Sequence, residues 1–347
     1  MRRIPVVLCI DVEPDGREID PRSPKDWLGF EATCELAERL RPRLHAATGV
    51  SPRFTWFLRM DPQVAHTYGS ADWVGRRYPG LIERLQASGD ELGLHVHAWR
   101  WVAVSGRWVS DYGDQEWVDH CVRSSFAAFE ALLARPCRSF RFGDHWMNGP
   151  TLDLVEALGA RFDLTLEPGR EAVPGGQAGE AMTGSFPDCA GIPHRPYRPS
   201  RTDFRQPGVE ETRQLWMIPV STAWVRWPFL WRASRMCAWA ARRLLRGGGD
   251  GAITVGRAVR WLGDNRSRSE VHGVLNLATN SVLFGRVMEQ RLAAREMPHL
   301  VVTARTDASV DRRQRANLDD NVGRILSHRL LGRLVFETPA AAMARLC

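Results

Sequence analysis

The chain has 347 residues, of which 44% are hydrophobic and 25% charged, with 30 Gly and 21 Pro. These values match ordinary globular usage and exclude a disordered, collagenous or repeat-only chain; the lack of any run of about eighteen apolar residues argues against a transmembrane architecture. The formal net charge of +7 comes from arginine, since Lys25 is the only lysine, and the arginines are scattered without a recognised nucleic-acid motif, so no nucleic-acid partner is expected.

The first apolar stretch, Val6–Ile10, is too short for a signal-peptide core. The seven cysteines are odd in number and lack Cys-x-x-Cys spacing. They predict buried free thiols in a cytoplasmic protein rather than a disulfide framework. Short β-rich runs follow at Val6–Val12, Phe54–Leu58, Leu92–His97, Ser139–Phe142, Phe162–Leu166, Leu215–Val220, Val274–Leu277 and Leu300–Ala304. Amphipathic stretches at Ala32–Leu44, Leu81–Ala87, Trp117–Leu133, Leu152–Leu158 and Val282–Ala293 carry apolar residues at helical spacing. Roughly eight strand–helix units predict an α/β fold, a (β/α) barrel, with its chemistry at the C-terminal ends of the strands. A single domain spanning 1–347 is expected. It would carry loop or cap insertions at about 167–214 and about 227–250, the second a helix with one arginine-rich face, a solvated cap or a peripheral membrane contact.

Period-two alternation places Cys9, Asp11 and Glu13 on the axis side of the first strand, with Val6, Leu8 and Ile10 toward covering helices. Two carboxylates at one strand end belong either to a solvated turn or to a metal or shared proton. On the strand ELGLHVH, the same alternation turns Gly93, His95 and His97 inward, and imidazoles two residues apart on a strand can converge on one ion. Two histidines and a carboxylate leave an open position for water, the arrangement of a hydrolytic centre. On the strand SFRF, Arg141 faces inward, either in a buried structural ion pair or holding a carboxylate of the first strand. His145 follows at the strand end, where a ligand, a proton donor or a substrate contact would sit.

The order of these motifs, IDVEP at Asp11 and Glu13, ELGLHVHAW at His95 and His97, SFRFG with Trp146 and Asn148 downstream, and RFDLT at Asp163, resembles the polysaccharide deacetylase family, carbohydrate esterase family 4. The resemblance covers most of the chain and implies a distorted (β/α)7–8 barrel. It also implies metal-dependent hydrolysis of an N-acetyl or related amide on a carbohydrate or glycoconjugate. It assigns Asp11 as general base, Glu13 and His95 as metal ligands, Arg141 as the residue orienting the base, and Asp163 as the acid supporting that arginine. The family commonly places its second histidine four residues after the first, where this chain has Trp99; His97 or His145 must then complete the site. The ion expected is one divalent metal, Zn²⁺ first, with Co²⁺, Ni²⁺ or Mn²⁺ open.

The main departure is Arg305, which occupies the position of the family's histidine general acid. An arginine can hold an oxyanion but does not readily release a proton, so His145 is the expected donor to the leaving amine. Of the fourteen tryptophans, Trp99 and Trp146 lie among the pocket motifs and are expected to contact substrate. Tyr197, in the Arg-rich loop, and Arg305 are expected to grip its polar groups. Two alternatives follow: hydrolysis of a non-sugar amide such as a cyclic imide or ureide, and a catalytically degenerate deacetylase-like binding protein.

Overall fold

A computed structural model of the chain describes residues 3–16, 19–173, 182–209, 213–227, 236–237, 240–241, 270–294 and 299–346. Its strands are β1 (Ile4–Val12), β2 (Thr55–Arg59), β3 (Glu91–Val96), β4 (Trp99–Val102), β5 (Arg107–Asp111), β6 (Ser139–Phe142), β7 (Phe162–Asp163), β8 (Met182–Thr183), β9 (Trp216–Met217), β10 (Thr222–Arg226), β11 (Glu270–Val274), β12 (Leu300–Arg305) and β13 (Leu334–Phe336).

The near-continuous apolar run IPVVLCIDV makes β1 a strand buried on both faces, and it sits inside the main sheet. That sheet runs β12-β1-β2-β3-β6-β7-β9, with β13 also paired to β1. Every pairing in it is parallel. The sheet curls toward closure. On the remaining edge of β12, Leu277 N donates to Thr303 O at 2.8 Å and Ser221 N to Val301 O at 3.1 Å. The result is a curled β/α half-barrel, a distorted form of the (β/α) barrel expected from the sequence.

Side-chain alternation fills the barrel in layers. Val7, Cys9, Phe57, Leu164, Ile218, Val220 and Val301 form one buried apolar cluster inside it. Two residues further along the same strands, toward their C-terminal ends, come Asp11, Arg59 and Thr303, so the layer above the apolar plug is polar.

The helices start where the sequence supplies caps. Asp61 accepts from the Gln63 and Val64 amides and opens the helix Pro62–Tyr68 with proline in its first turn. Asp114 opens Gln115–Leu133 and Asn148 opens Gly149–Ala157 in the same way, each cap contributing about 1 kcal/mol. Asp15, thirteen residues upstream of Leu28, does this at longer range, accepting from the Leu28 and Gly29 amides at 2.9 and 2.8 Å. Gly29 is required there, since a Cβ would lie 2.2 Å from the Thr306 carbonyl oxygen.

Several elements were not expected. Trp99–Val102 and Arg107–Asp111 form an antiparallel hairpin, and β8, from the 167–214 insertion, pairs with β5 to make a small three-stranded sheet. The helix Arg312–Leu326 and strand β13 also lay outside the expected set. The chain divides into two compact units, residues 1–222 with 274–347, and residues 223–273. In the second, β10 and β11 pair, and Trp224 meets His272 with ring centroids 5.4 Å apart. The arginine-rich helix expected at about 227–250 lies almost wholly outside the described residues. No described helix is long and apolar enough to cross a membrane.

Candidate metal centre

Glu13, His95 and His97 come together at the C-terminal ends of β1 and β3, all buried. His95 Nε2 lies 3.1 Å from Glu13 Oε1 and 2.9 Å from His97 Nε2, and His97 Nε2 lies 3.8 Å from Glu13 Oε1. A triangle with those sides has a point about 2 Å from all three atoms, the distance at which nitrogen and oxygen ligands bind zinc. His145 is not part of this group; its Nδ1 lies 2.9 Å from Glu167 Oε1.

Each donor is fixed from behind. Glu13 follows the last residue of β1, and its amide donates to Thr306 Oγ1 while its carbonyl accepts from the same hydroxyl. The His95 Nδ1 atom is 3.0 Å from the Arg141 carbonyl and 4.0 Å from Asp11 Oδ1, so a proton on Nδ1 would satisfy the carbonyl and leave the Nε2 lone pair for an ion. The His97 amide donates to Asp61 Oδ2 at 3.0 Å, which ties the end of β3 to a helix cap. Gly143 makes room for the His97 ring, because a Cβ at that position would lie 2.2 to 2.4 Å from ring atoms.

Arg141 and Asp11 form a buried pair beside the triad. Arg141 Nε lies 3.0 Å from Asp11 Oδ1 and donates to Oδ2 at 3.2 Å, while Nη1 donates to the Leu164 carbonyl. Asp11 Oδ1 is buried and, apart from Arg141 Nε at 3.0 Å, has no hydrogen-bond donor on it among the described residues. A carboxylate oxygen held this way keeps a lone pair with which to accept a proton.

The charges around the triad also fit a dication. The carboxylates of Asp11, Glu13, Asp61, Asp144 and Asp307 face the guanidiniums of Arg59, Arg141 and Arg305, leaving two negative charges in a buried cluster. Burial pushes the Glu13 carboxyl up, but the Arg305 charge and the adjoining imidazoles of His95 and His97 hold it well below the usual carboxylate range. Two neutral imidazoles, one carboxylate and two excess negative charges suit a divalent ion.

Arg305 pairs in register with Asp11 across β1 and β12. Its guanidinium forks onto Asp307 and lies 3.7 Å from Glu13 Oε2, one-third exposed at the site. Arg59 approaches Glu13 Oε2 from the other side at 3.8 Å. His145 packs against Glu167, which Arg170 also contacts at 2.8 Å. Burial pushes the Glu167 carboxyl up, and the charges and hydrogen bonds of His145 and Arg170 outweigh it, leaving it at about 2. The Glu167 charge also acts on Arg141.

Other expected contacts lie elsewhere. Asp163 is buried and accepts from the Thr165 amide and hydroxyl at 3.0 and 2.9 Å; it makes no hydrogen bond to Arg141. Thr165 in turn accepts from the Phe142 amide, so Asp163 braces the strand that carries Arg141, whose charge reaches it without a hydrogen bond. Trp99 is buried with its indole N–H 3.1 Å from His97 Nδ1. Tyr197 is buried with its hydroxyl on the Phe204 carbonyl. Trp146 stacks on Tyr112 with centroids 4.9 Å apart and borders a cavity of about 650 Å³, whose walls include Tyr112, Asn148, Asp188, Phe204 and Arg205. The walls stop short of the triad, but Tyr112 donates to Asp144 at 2.8 Å, and Asp144 Oδ2 lies 3.4 Å from His97 Nδ1.

Arg59, Asp61, Asp144, Glu167 and Thr306 are site residues that the motif pattern did not single out. For Asp61 a signal exists in Asp-Pro, a helix start directly after a strand. For the others the placement depends on backbone turns and on segments distant in the chain.

No family model matches this chain, and no curated protein matches it. Solved structures do. A protein classed with the polysaccharide deacetylases from Pseudomonas aeruginosa superposes with a TM-score of 0.50 at 12% identity, covering 99% of this chain and 91% of its own. A protein classed as a glycoside hydrolase/deacetylase from Parabacteroides distasonis superposes with a TM-score of 0.52 at 13% identity, covering 97% of this chain and 70% of its own. At these identities the likeness is one of architecture: the chain has the polysaccharide deacetylase fold, in a divergent sequence.

Proposed function

We propose that this protein is a metal-dependent hydrolase that removes an N-acyl group, N-acetyl in the simplest case, from an amino sugar in a glycan, glycolipid or glycosylated metabolite. The observation that carries the proposal is the pairing of two features at neighbouring strand ends. One is the Glu13–His95–His97 donor triangle; the other is an arginine-held Asp11 whose buried Oδ1 keeps a lone pair to accept a proton. A divalent ion on that triangle, zinc first with cobalt, nickel or manganese also suited to the donors, would polarise the amide carbonyl and acidify a water.

Within that chemistry Asp11 takes the proton of the attacking water through Oδ1, and Arg141 holds the carboxylate in place. Arg305, at the edge of the site, supports negative charge developing on the acyl oxygen. His145, positioned by Glu167, gives a proton to the leaving amine. The 650 Å³ cavity bordered by stacked Tyr112 and Trp146 supports a sugar-sized substrate over a small cyclic imide or ureide. The described cysteines are all free, which supports a reducing compartment such as the cytoplasm.

The test is metal analysis of the purified protein, followed by acetate-release assays on N-acetylated amino sugars and oligosaccharides with each of the four metals. Stoichiometric metal that is lost in Glu13→Ala and His95→Ala, together with acetate release, supports the proposal. Full metal content in both folded variants refutes the site. Bound metal without release from any N-acyl substrate would leave a binding protein.

A further inference from the structure

The hydrogen bonds around His97 do not all fit one protonation form. A neutral imidazole has one N–H and one lone pair, an indole only donates, and a carboxylate only accepts. His97 Nδ1 has both kinds of neighbour: Trp99 Nε1 at 3.1 Å and Asp144 Oδ2 at 3.4 Å. With the proton on Nε2, Trp99 donates to Nδ1, Nε2–H donates to His95 Nε2 at 2.9 Å, and His95 Nδ1–H donates to the Arg141 carbonyl. That chain is complete and leaves Asp144 without the His97 proton. With the proton on Nδ1, Asp144 is the acceptor, Trp99 loses its acceptor at Nδ1, and the Nε2 lone pair is free.

Only the second form can bind a metal through Nε2. We propose that Trp99 and Asp144 are alternative partners of His97 Nδ1, and that metal binding exchanges the first for the second. Asp144 is then the positioning residue that makes His97 a ligand, and Trp99 is the group that opposes it. This rests on the metal site proposed above.

The local backbone is built around Asp144. Asp144 and His145 are both left-handed, with φ of 55° and 58°, a conformation that disfavours side chains and persists only where the surroundings impose it. The Tyr112 hydroxyl donates to the same Oδ2 atom at 2.8 Å, and Gly143 leaves the His97 ring space to meet it.

Zinc affinity by chelator competition, with ¹⁵N NMR of the indole and imidazole groups, tests the proposal. On zinc addition, the indole N–H resonance that Trp99→Phe removes should shift, and His97 should pass from Nε2–H to Nδ1–H. Asp144→Ala should weaken zinc binding about 10- to 100-fold, and Asp144→Asn, which keeps a carbonyl acceptor, should recover part of the loss. Trp99→Phe should tighten binding. Opposite signs are the mark of competing partners; weakening by Trp99→Phe, or unchanged affinity in Asp144→Ala, overturns the exchange while leaving the metal site standing. Unchanged affinity in Glu13→Ala and His95→Ala overturns the metal site itself, and the exchange with it.

Discussion

Thr306 and Glu13 exchange two hydrogen bonds through one hydroxyl, Glu13 N to Thr306 Oγ1 at 2.9 Å and Thr306 Oγ1 to Glu13 O at 3.0 Å. The pair is fully buried, so nothing replaces these bonds when the hydroxyl is removed. Thr306→Val should cost about 1–3 kcal/mol in urea unfolding and weaken metal binding by displacing Glu13. Thr306→Ser, which keeps the hydroxyl, should keep the metal.

Asp11→Asn should leave fold and metal content intact and lower kcat by about 10²- to 10⁴-fold, because the amide cannot accept the water's proton. Arg141→Lys should also lower turnover, since an ammonium cannot reproduce the guanidinium's reach to both Asp11 and the Leu164 carbonyl. Unchanged turnover in Asp11→Asn would dismiss it as the base.

Glu167 gives a stability signature in acid. Its folded value of about 2 is below the ordinary 4.5, so its ionised form stabilises the fold above pH 4.5, by up to about 3 kcal/mol. That contribution disappears as pH falls through 2. Glu167→Gln should be less stable at neutral pH but should lose less stability between pH 5 and about 2.

Asp163 works in the opposite direction. Burial raises it to about 7 against the hydrogen bonds of Thr165 and the Arg141 charge, so the folded protein binds a proton that the unfolded chain has released. Stability contributed at this site should fall as pH rises from about 4 to 7, by up to about 4 kcal/mol. Chemical denaturation across that range should give a flatter profile for Asp163→Asn.

The strand ends that carry Asp11, Glu13, His95, His97 and Arg141 were legible in the sequence because β1, β3 and β6 are buried on both faces. Alternation alone then decides which residues point inward. Their supports were not. Asp61 reads as a helix cap, and nothing local says that its carboxylate also holds the amide of His97. Asp144 reaches His97 only because two non-glycine residues are left-handed, a turn with no sequence marker. Tyr197 and Trp99 looked like substrate contacts because they sit in Arg-rich or aromatic segments, but both are buried and bonded internally. The helix Arg312–Leu326 is so polar that its buried residues, Leu318, Asn321, Val322 and Ile325, form too thin a stripe to stand out.

Arg305 and His145 separate proton donation from charge stabilisation. His145→Gln should lower kcat most on substrates with the most basic leaving amine, while Arg305→Ala should lower kcat alike on all of them. Acetate release appearing only in Arg305→His would mean that the natural protein has lost its acid.

β1 is flanked by β12 and β13 as well as β2, so the first strand to be synthesised finds two of its three neighbours only among the last. Glu13 and the hydroxyl that holds it are 293 residues apart. A ribosome-bound chain lacking β12 can form β2, β3 and β6, with both histidines, but cannot fix the carboxylate. A metal on the proposed site would therefore be captured only after translation of β12, and truncations that remove this segment should leave an open sheet exposing β1 to chaperones.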